Sequence, residues 1–297
     1  MSESNFAGRG TGVIHDIGYR HYDGRRGGRP QIRRALYVQS LRGVFGLGRA
    51  ARTKILPFTL ASFMVLPAVI LVAVQMVMGS TTPVLPFASY AIVVQAIPAL
   101  FLAALAPQTV SRDLRFHTMP LYFSRPLTYK DYVAAKFAGM TSALFILFAV
   151  PIVVLYAGAL LAKAPFLSNT GDFLMALVAA VFLSALLSVI GLLIASLTPR
   201  RGLGVAAIIT LMAGSFTVVS AVQGITTGLD QQGVAAWAGL FSPMTLFAGA
   251  QDLLPGVRYE GVAEPSTAGQ VVFAIVLLAL IAGGYALLSL RYKKVSS

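Results

Sequence analysis

Six apolar segments, each long enough to cross a lipid bilayer, constrain the fold of this chain more than any other feature. They lie at residues 55–78, 87–109, 132–161, 172–197, 203–227 and 269–290. A helix rises about 1.5 Å per residue, so roughly 20 residues cross a hydrocarbon core of ~30 Å. Composition agrees, because 57% of the 297 residues are hydrophobic and only 11% are charged. The sequence therefore predicts an all-α membrane protein with six transmembrane helices.

The basic residues are distributed unevenly along the chain. Of the 23 Lys and Arg residues, only Lys163 and Arg258 fall in the segments that follow the first, third and fifth spans. The others precede the first span, lie within residues 111–136 or 200–201, or belong to the C-terminal tail. Cytoplasmic segments of membrane proteins carry the excess of Lys and Arg. Both termini are therefore predicted to be cytosolic, and residues 228–268 are predicted to form a long outer loop.

The sequence before the first span divides into a tail and a helix. Residues 1–29 are polar and rich in Gly and Arg, which predicts a disordered cytosolic tail. Residues 30–54 place apolar side chains on one helical face, with Arg42 and Arg49 on the opposite one. This pattern predicts a basic amphipathic helix in the inner headgroup layer, and the alternative is a simple extension of the first span. Residues 55–297 then form the six-span domain.

The longest charged segment enclosed between two spans is residues 111–131. Ser111 is predicted to cap a short helix, and Arg125-Pro126 ends it because the residue before proline disfavours helical geometry. Thr128 followed by Asp131 is typical of a capping box at the start of the next helix. We therefore expect a basic, half-apolar element that is held at the membrane by two long helices and contacts a partner in the cytosol.

A second short helix is predicted in the outer loop. Ser242 as N-cap, with Pro243 at the first helical position, indicates a helix start, and Pro255-Gly256 indicates a stop. The enclosed segment is apolar but too short to span a bilayer. It is predicted to be re-entrant or to lie in the outer interface, just before the last span.

The sequence offers few groups for catalysis or for ion-coupled transport. It has no Cys, no GxxxxGK[ST] loop, no HExxH motif and no paired acidic clusters, and His15-Asp16 and His21-Tyr22-Asp23 lack a metal-specific spacing. The membrane-crossing parts of the spans contain no Lys, Arg, Glu or His, which argues against a secondary transporter. We therefore predict that this chain is not an enzyme and that it holds no metal and no cofactor.

Some neutral polar and small residues lie within the spans. Gln95, Gln108 and Gln223 are candidates to line a water-filled path, as amides are costly to expose to lipid. Hydrogen bonding between helices explains these glutamines, and Gln75, at least as well as substrate contact. A repeat of small residues in the fourth span predicts a close-packing face formed by Ala176, Ala180, Ser184 and Ser188.

The order of these features resembles the permease subunits of type 2 ABC exporters, which have six spans per subunit and a separate ATPase. The resemblance covers roughly residues 30–295 and rests on three stretches. They are the segment Ser111-Arg112-Asp113-Leu114-Arg115 with the following Ser124-Arg125-Pro126 turn, Tyr132 and Lys136; the Pro-centred segment Phe241-Ser242-Pro243-Met244-Thr245-Leu246-Phe247; and the basic helix before the first span. The opening residues 12–23 resemble those of actinobacterial members.

The resemblance implies that residues 111–121 form the coupling helix that docks on the ATPase. Its expected contact residues are Ser111, Arg112, Asp113, Leu114, Arg115, Phe116, Met119 and Leu121. The 30–54 helix would be the connecting helix, with Arg42, Arg49 and Arg52. Two permeases, identical or paired with a paralogue, would enclose a path between their second and fifth spans, and two partner ATPase subunits would bind ATP and Mg. The expected outer gate comprises Ser242, Pro243, Met244, Leu246 and Phe247.

The function implied by the resemblance is ATP-driven export of a hydrophobic or amphipathic compound, such as a drug, an antibiotic or a lipid-like molecule. The location would be a bacterial plasma membrane, with membrane lipid and no nucleic acid among the partners. The alternative is a non-transporting membrane scaffold or regulatory subunit that docks a cytosolic partner. A membrane-embedded transferase is disfavoured by the missing acidic clusters.

Overall fold

The computed structural model describes residues 28–115, 127–198, 200–255, 257, 263 and 265–296, and of 111–115, 295 and 296 only the backbone. Throughout this part of the chain the regular structure is helical, with no strand. The helices are α1 Arg29–Val44, α2 Arg52–Met78, α3 Tyr90–Val93, α4 Ala96–Arg115, α5 Tyr129–Leu161, α6 Phe166–Leu197, α7 Arg201–Gly228, α8 Gln232–Ala238, α9 Pro243–Gln251 and α10 Thr267–Ser296. The prediction of an all-α membrane protein is confirmed.

Five helices are long and apolar enough to cross a membrane, namely α2, α5, α6, α7 and α10. The short helix α8 continues into a 3-10 turn, Gly239–Phe241, and is followed by α9 at a bend of 118°. This bent pair is apolar enough to count as a sixth, broken span or as a re-entrant loop. The described residues therefore contain five or six candidate spans by length and composition.

The predicted second span, 87–109, is not one continuous helix. It is divided into α3 and α4, which are separated by Val94 and Gln95. Pro98 has no N–H to donate to the Val94 carbonyl, so the helical hydrogen-bond ladder is interrupted at this point. The apolar part of α4, Ala96–Val110, is shorter than the five long helices. The prediction of an unbroken second span was therefore wrong.

All five of the other spans extend beyond their predicted limits, and three of them show why. Helix α5 begins at Tyr129, and α6 begins at Phe166, directly after Pro165, so the outer connection of 162–171 shrinks to 162–165. Helix α10 continues beyond the apolar run to Ser296. Lys and Arg are good helix formers, so the end of an apolar run does not have to end the helix.

Helices α5 and α6 form the centre of the bundle. They pack against each other, while α2 packs on α5, α4 packs on α6 and α10 packs on both. Close approach depends on small residues, because Gly158 of α5 faces Val72 and Gly191 of α6 faces Leu102 without room for a Cβ. The predicted small-residue face of the fourth span is confirmed as buried, and it comprises Ala176, Ala180, Ser184 and Ser188.

Helix α1 is shorter than the predicted 30–54 helix. It ends at Val44, and a turn with positive φ at Gly46 (66°) and Gly48 (83°) leads into α2. Glycine adopts this left-handed backbone readily, and a Cβ at Gly46 would lie 2.6 Å from the Thr53 carbonyl oxygen. The prediction of one helix to residue 54 is corrected, since Arg52 belongs to α2. The predicted tail lies outside the described residues except for residues 28 and 29.

Candidate functional site

The carboxylate of Asp131 joins the start of α5 to the start of α1. The backbone N–H and the hydroxyl of Thr128 donate to its Oδ2 at 3.1 and 2.8 Å, which confirms the predicted capping box. Arg29 Nε donates to the same oxygen at 2.8 Å, and Arg33 approaches Oδ1 at 3.9 Å. The Asp131 side chain is only 6% exposed. A local capping motif therefore also holds α1 against α5 by charge-assisted hydrogen bonds.

Lys136 joins α5 to the last turns of α4. Its Nζ donates to the backbone carbonyl of Thr109 at 2.8 Å and lies 5.4 Å from the centroid of the Tyr132 ring. The Tyr132 ring also packs against Tyr292 near the end of α10, with centroids 5.2 Å apart. Three helices are thereby joined immediately before Ser111, where the predicted coupling segment begins.

Helix α4 continues through Ser111 to Arg115 without interruption. An N-cap needs non-helical dihedrals, so Ser111 does not cap a new helix, and that prediction was wrong. The structure describes only the backbone at Ser111, Arg112, Asp113, Leu114 and Arg115. The remaining predicted docking residues, Phe116, Met119 and Leu121, lie outside the described residues. The first five predicted docking residues therefore continue α4.

One end of the bundle collects nearly all of the described basic residues. The start of α7 lies there too, because a Cβ at Gly204 would be 3.1 Å from Pro107 of α4. Among the described residues, Lys163 is the one basic residue at the opposite end. The basic residues exposed at the first end, called the basic end below, are Arg29, Arg33, Arg34, Arg42, Arg49, Arg52, Lys130, Arg200, Arg201, Lys293 and Lys294.

The structure does not bring the three candidate path glutamines together. Gln108 lies near the basic end and donates to the Ala104 carbonyl of its own helix at 2.7 Å. Gln223 lies at the other end of the bundle and donates to the Ala235 carbonyl of α8 at 3.0 Å. Gln95 occupies the break between α3 and α4. The geometry at Gln223 is a hydrogen bond between two helices, the alternative role expected for such residues.

The predicted outer gate residues lie mostly in the interior of this chain. Helix α9 begins at Pro243, as predicted, but ends at Gln251 rather than at Pro255. Ser242 is the N-cap residue, as predicted, but its buried hydroxyl makes no hydrogen bond within the described part of the chain. Met244, Leu246 and Phe247 are also buried, in the contact of α9 with its neighbours. Polar substitutions at these three positions would therefore disturb the core rather than a membrane anchor.

Two aromatic residues before α9 are exposed, of which Phe241 belongs to the Pro-centred segment and Trp237 was missed in the sequence. Phe241 is 81% exposed, and Trp237, the single tryptophan, is 47% exposed. Both lie in the α8 segment, at the end of the bundle opposite the basic end. Tryptophan and other aromatics are enriched where a membrane protein meets the headgroup layer. The rarity of tryptophan in this chain is the signal that could have identified this surface.

A cavity of about 210 Å³ lies between α6, α9 and α10. Its lining is apolar and includes Phe182, Phe247 and Leu277. Gln251 also lines the cavity and is only 2% exposed, and among the described residues neither its amide nitrogen nor its amide oxygen has a hydrogen-bond partner. The described part of the chain contains no group of three or more His, Cys, Asp or Glu side chains that could bind a metal ion.

The fold and the basic end define this chain as a multi-pass, all-α membrane protein with a basic helical surface at one end. Comparison with models of known protein families finds no match, and no curated protein matches the sequence either. Neither comparison assigns a function, so the functional argument depends on the geometry of the basic end and on the sequence motifs.

Proposed function

We propose that this chain is the membrane subunit of an ATP-driven exporter of the type 2 ABC class, and that it docks a separate ATPase at its basic end. The arrangement of α4 is the observation that carries this proposal. Its C-terminal turns lead directly into the segment that resembles the coupling helix, and Lys136 fixes them to α5 through the Thr109 carbonyl. A protein that docks on this segment would therefore act on both helices.

The contacts of α5 suit the transmission of such a movement. Asp131 connects α5 to α1, Tyr132 connects it to α10, and its central part packs on α6. When the ATPase subunits close on ATP, a displacement of α4 would be passed to α5 and from there to the rest of the bundle. The break at Val94 and Gln95 separates α4 from α3, so α4 can tilt without moving α3 rigidly with it.

Most of the surface of α7 is not buried within this chain and is available to lipid or to a second permease subunit. This exposure supports a path between two permease subunits. Along its 28 residues, only Gly204, Ile208, Met212, Val219 and Gln223 are buried within this chain. The segment Thr210–Gly214 is a π-helical turn, a feature that often occurs at functional positions in helices. The apolar surroundings suit a hydrophobic or amphipathic substrate rather than an ion.

Affinity purification of the tagged full chain from its native membranes tests this proposal. We expect it to capture a protein that contains the GxxxxGK[ST] loop and hydrolyses ATP, and photo-crosslinking from position 115 should join the two chains. Capture of a partner that lacks this loop, joined at the same position, would instead identify the chain as a scaffold or regulatory subunit.

A further inference from the structure

A basic groove runs along the face of α1 that points away from α5 and ends under the turn that leads into α2. Its volume is about 640 Å³, and the polar residues that line it are Gln31, Arg34, Gln39, Arg42 and Arg49. The opposite face of α1, with Leu36, Ser40 and Val44, is buried against the bundle. Among the described residues, the groove is therefore separate from the contact that holds α1 in place.

The three arginines of the groove have no acidic partner among the described residues. Arg29 and Arg33 pair with Asp131 on the other side of α1. Arg34, Arg42 and Arg49 thus concentrate positive charge around one concave surface, with no carboxylate of the described residues paired to them. Guanidinium groups match the geometry of phosphate oxygens and bind them with paired hydrogen bonds.

The turn after α1 shapes one end of the groove. Its two positive-φ glycines fold the chain back, and the guanidinium of Arg49 comes to lie opposite Gly43, 3.7 Å from the position of a Cβ there. Val38 and Leu47, both partly exposed, add apolar surface to the same groove. The groove thus places guanidinium groups beside apolar side chains, and this combination fits the boundary between lipid headgroups and acyl chains.

The groove lies beside the membrane end of the first span. Arg49 precedes Ile55, the first residue of the apolar run, by six residues, and α2 already begins at Arg52. The headgroup layer on each side of a bilayer is roughly 5–8 Å thick. The turn that carries Arg49 therefore leads directly into the first span, and Arg42 lines the same groove, which favours a lipid headgroup over a cytosolic protein as its occupant.

We propose that the basic groove binds the phosphate headgroup of an anionic phospholipid from the leaflet adjoining the basic end. Arg42 and Arg49 would hold the phosphate, and Leu47 would contact the first acyl carbons. This binding does not depend on the proposed ATPase partner, so either proposal can fail without the other.

The test uses the full chain in nanodiscs of phosphatidylcholine, alone or mixed in equal parts with phosphatidylglycerol. Native mass spectrometry after release counts the phosphatidylglycerol that stays bound. We expect retention by the unmodified chain and a loss of about fivefold for each of Arg42→Gln and Arg49→Gln. The matched control is Arg33→Gln, which removes the same charge from the other side of α1 and should retain the lipid. Arg49→Lys keeps the charge but not the paired donors, so it should retain more lipid than Arg49→Gln and less than the unmodified chain.

Three results would overturn the proposal. The first is a double variant, Arg42→Gln/Arg49→Gln, that retains as much phosphatidylglycerol as Arg33→Gln. The second is full displacement of the lipid by inorganic phosphate at low concentration, which would indicate a site for free anions. The third result is that the double variant loses its ATPase partner in pure phosphatidylcholine, which would assign the groove to that protein. Thermal unfolding and gel filtration of each variant establish that the chain is folded in every comparison.

Discussion

At the scale of single residues, several contacts at the basic end depend on the carboxylate of Asp131. Its carboxylate accepts hydrogen bonds from Thr128 and Arg29 at the starts of two helices. We predict that Asp131→Asn lowers the free energy of unfolding by about 1–3 kcal/mol, because the charge-assisted bonds to Arg29 and to the helix start weaken. Thermal unfolding in detergent measures the change. The control Asp230→Asn, at an exposed turn, should leave stability unchanged, and equal stability of both variants would contradict the assignment.

Two buried glutamines should respond in opposite directions to the same substitution. The Gln251 amide is buried with no partner, whereas Gln223 Nε2 donates to the Ala235 carbonyl at 3.0 Å. We predict that Gln251→Met stabilises the chain by about 1–2 kcal/mol, because an unpaired amide is removed from the interior. Gln223→Met should destabilise it by ~1 kcal/mol through the loss of its hydrogen bond. Chemical denaturation followed by tryptophan fluorescence measures both, and destabilisation by Gln251→Met would show that its amide has a partner.

At the scale of helices, the contact of α1 with α5 depends on Gly139. A Cβ there would lie 2.8 Å from the Ser40 Cβ and 3.3 Å from the backbone nitrogen of Leu41, so the helices would have to move apart. We predict that Gly139→Ala costs about 1–3 kcal/mol of stability and increases protease cleavage after α1. The control is Gly224→Ala in α7, where a Cβ meets nothing within 4 Å. It should be neutral or stabilising by up to ~1 kcal/mol, and the idea fails if both variants behave alike.

The sequence predicted the helices well where the local pattern of apolar or capping residues was strong. The apolar runs of α5, α6, α7 and α10 and the capping box at Thr128 depend on neighbouring residues, and all of them are found. The end of α1, the break before α4 and the continuation of α4 through Ser111 were missed. They depend on how the chain folds back on itself, as when the turn at Gly46 closes against Thr53.

The same limit applies to the candidate site. Sequence alone placed Lys136 at the start of the third span, but it did not indicate that Lys136 fixes the end of α4 to α5 through the carbonyl of Thr109. Met244, Leu246 and Phe247 were expected at a gate because their segment is apolar and short. An apolar pattern does not distinguish a buried face from a membrane-facing one, and here the helix is buried against α10.

At the scale of the whole molecule, the separation of charge between its two ends predicts its orientation. With Lys163 as the one described basic residue at the far end, the basic end should face the cytosol. A phosphatase reporter that is active only outside the cell should be silent when fused after Ser297 and active when inserted at Gly233. The reverse pattern, or activity at both positions, would contradict this topology.

The central claim is that the extension of α4 docks an ATPase. The most direct test combines Arg112→Glu with Arg115→Glu and measures co-purification of the partner and substrate-stimulated ATP hydrolysis in proteoliposomes. The account predicts a loss of about tenfold or more in both, because like charges placed across an interface cost several kcal/mol. Arg200→Glu with Arg201→Glu, the same charge change at the same end of the bundle, should leave both near the unmodified level. Full recruitment and full ATP hydrolysis by the Arg112/Arg115 variant would contradict the account.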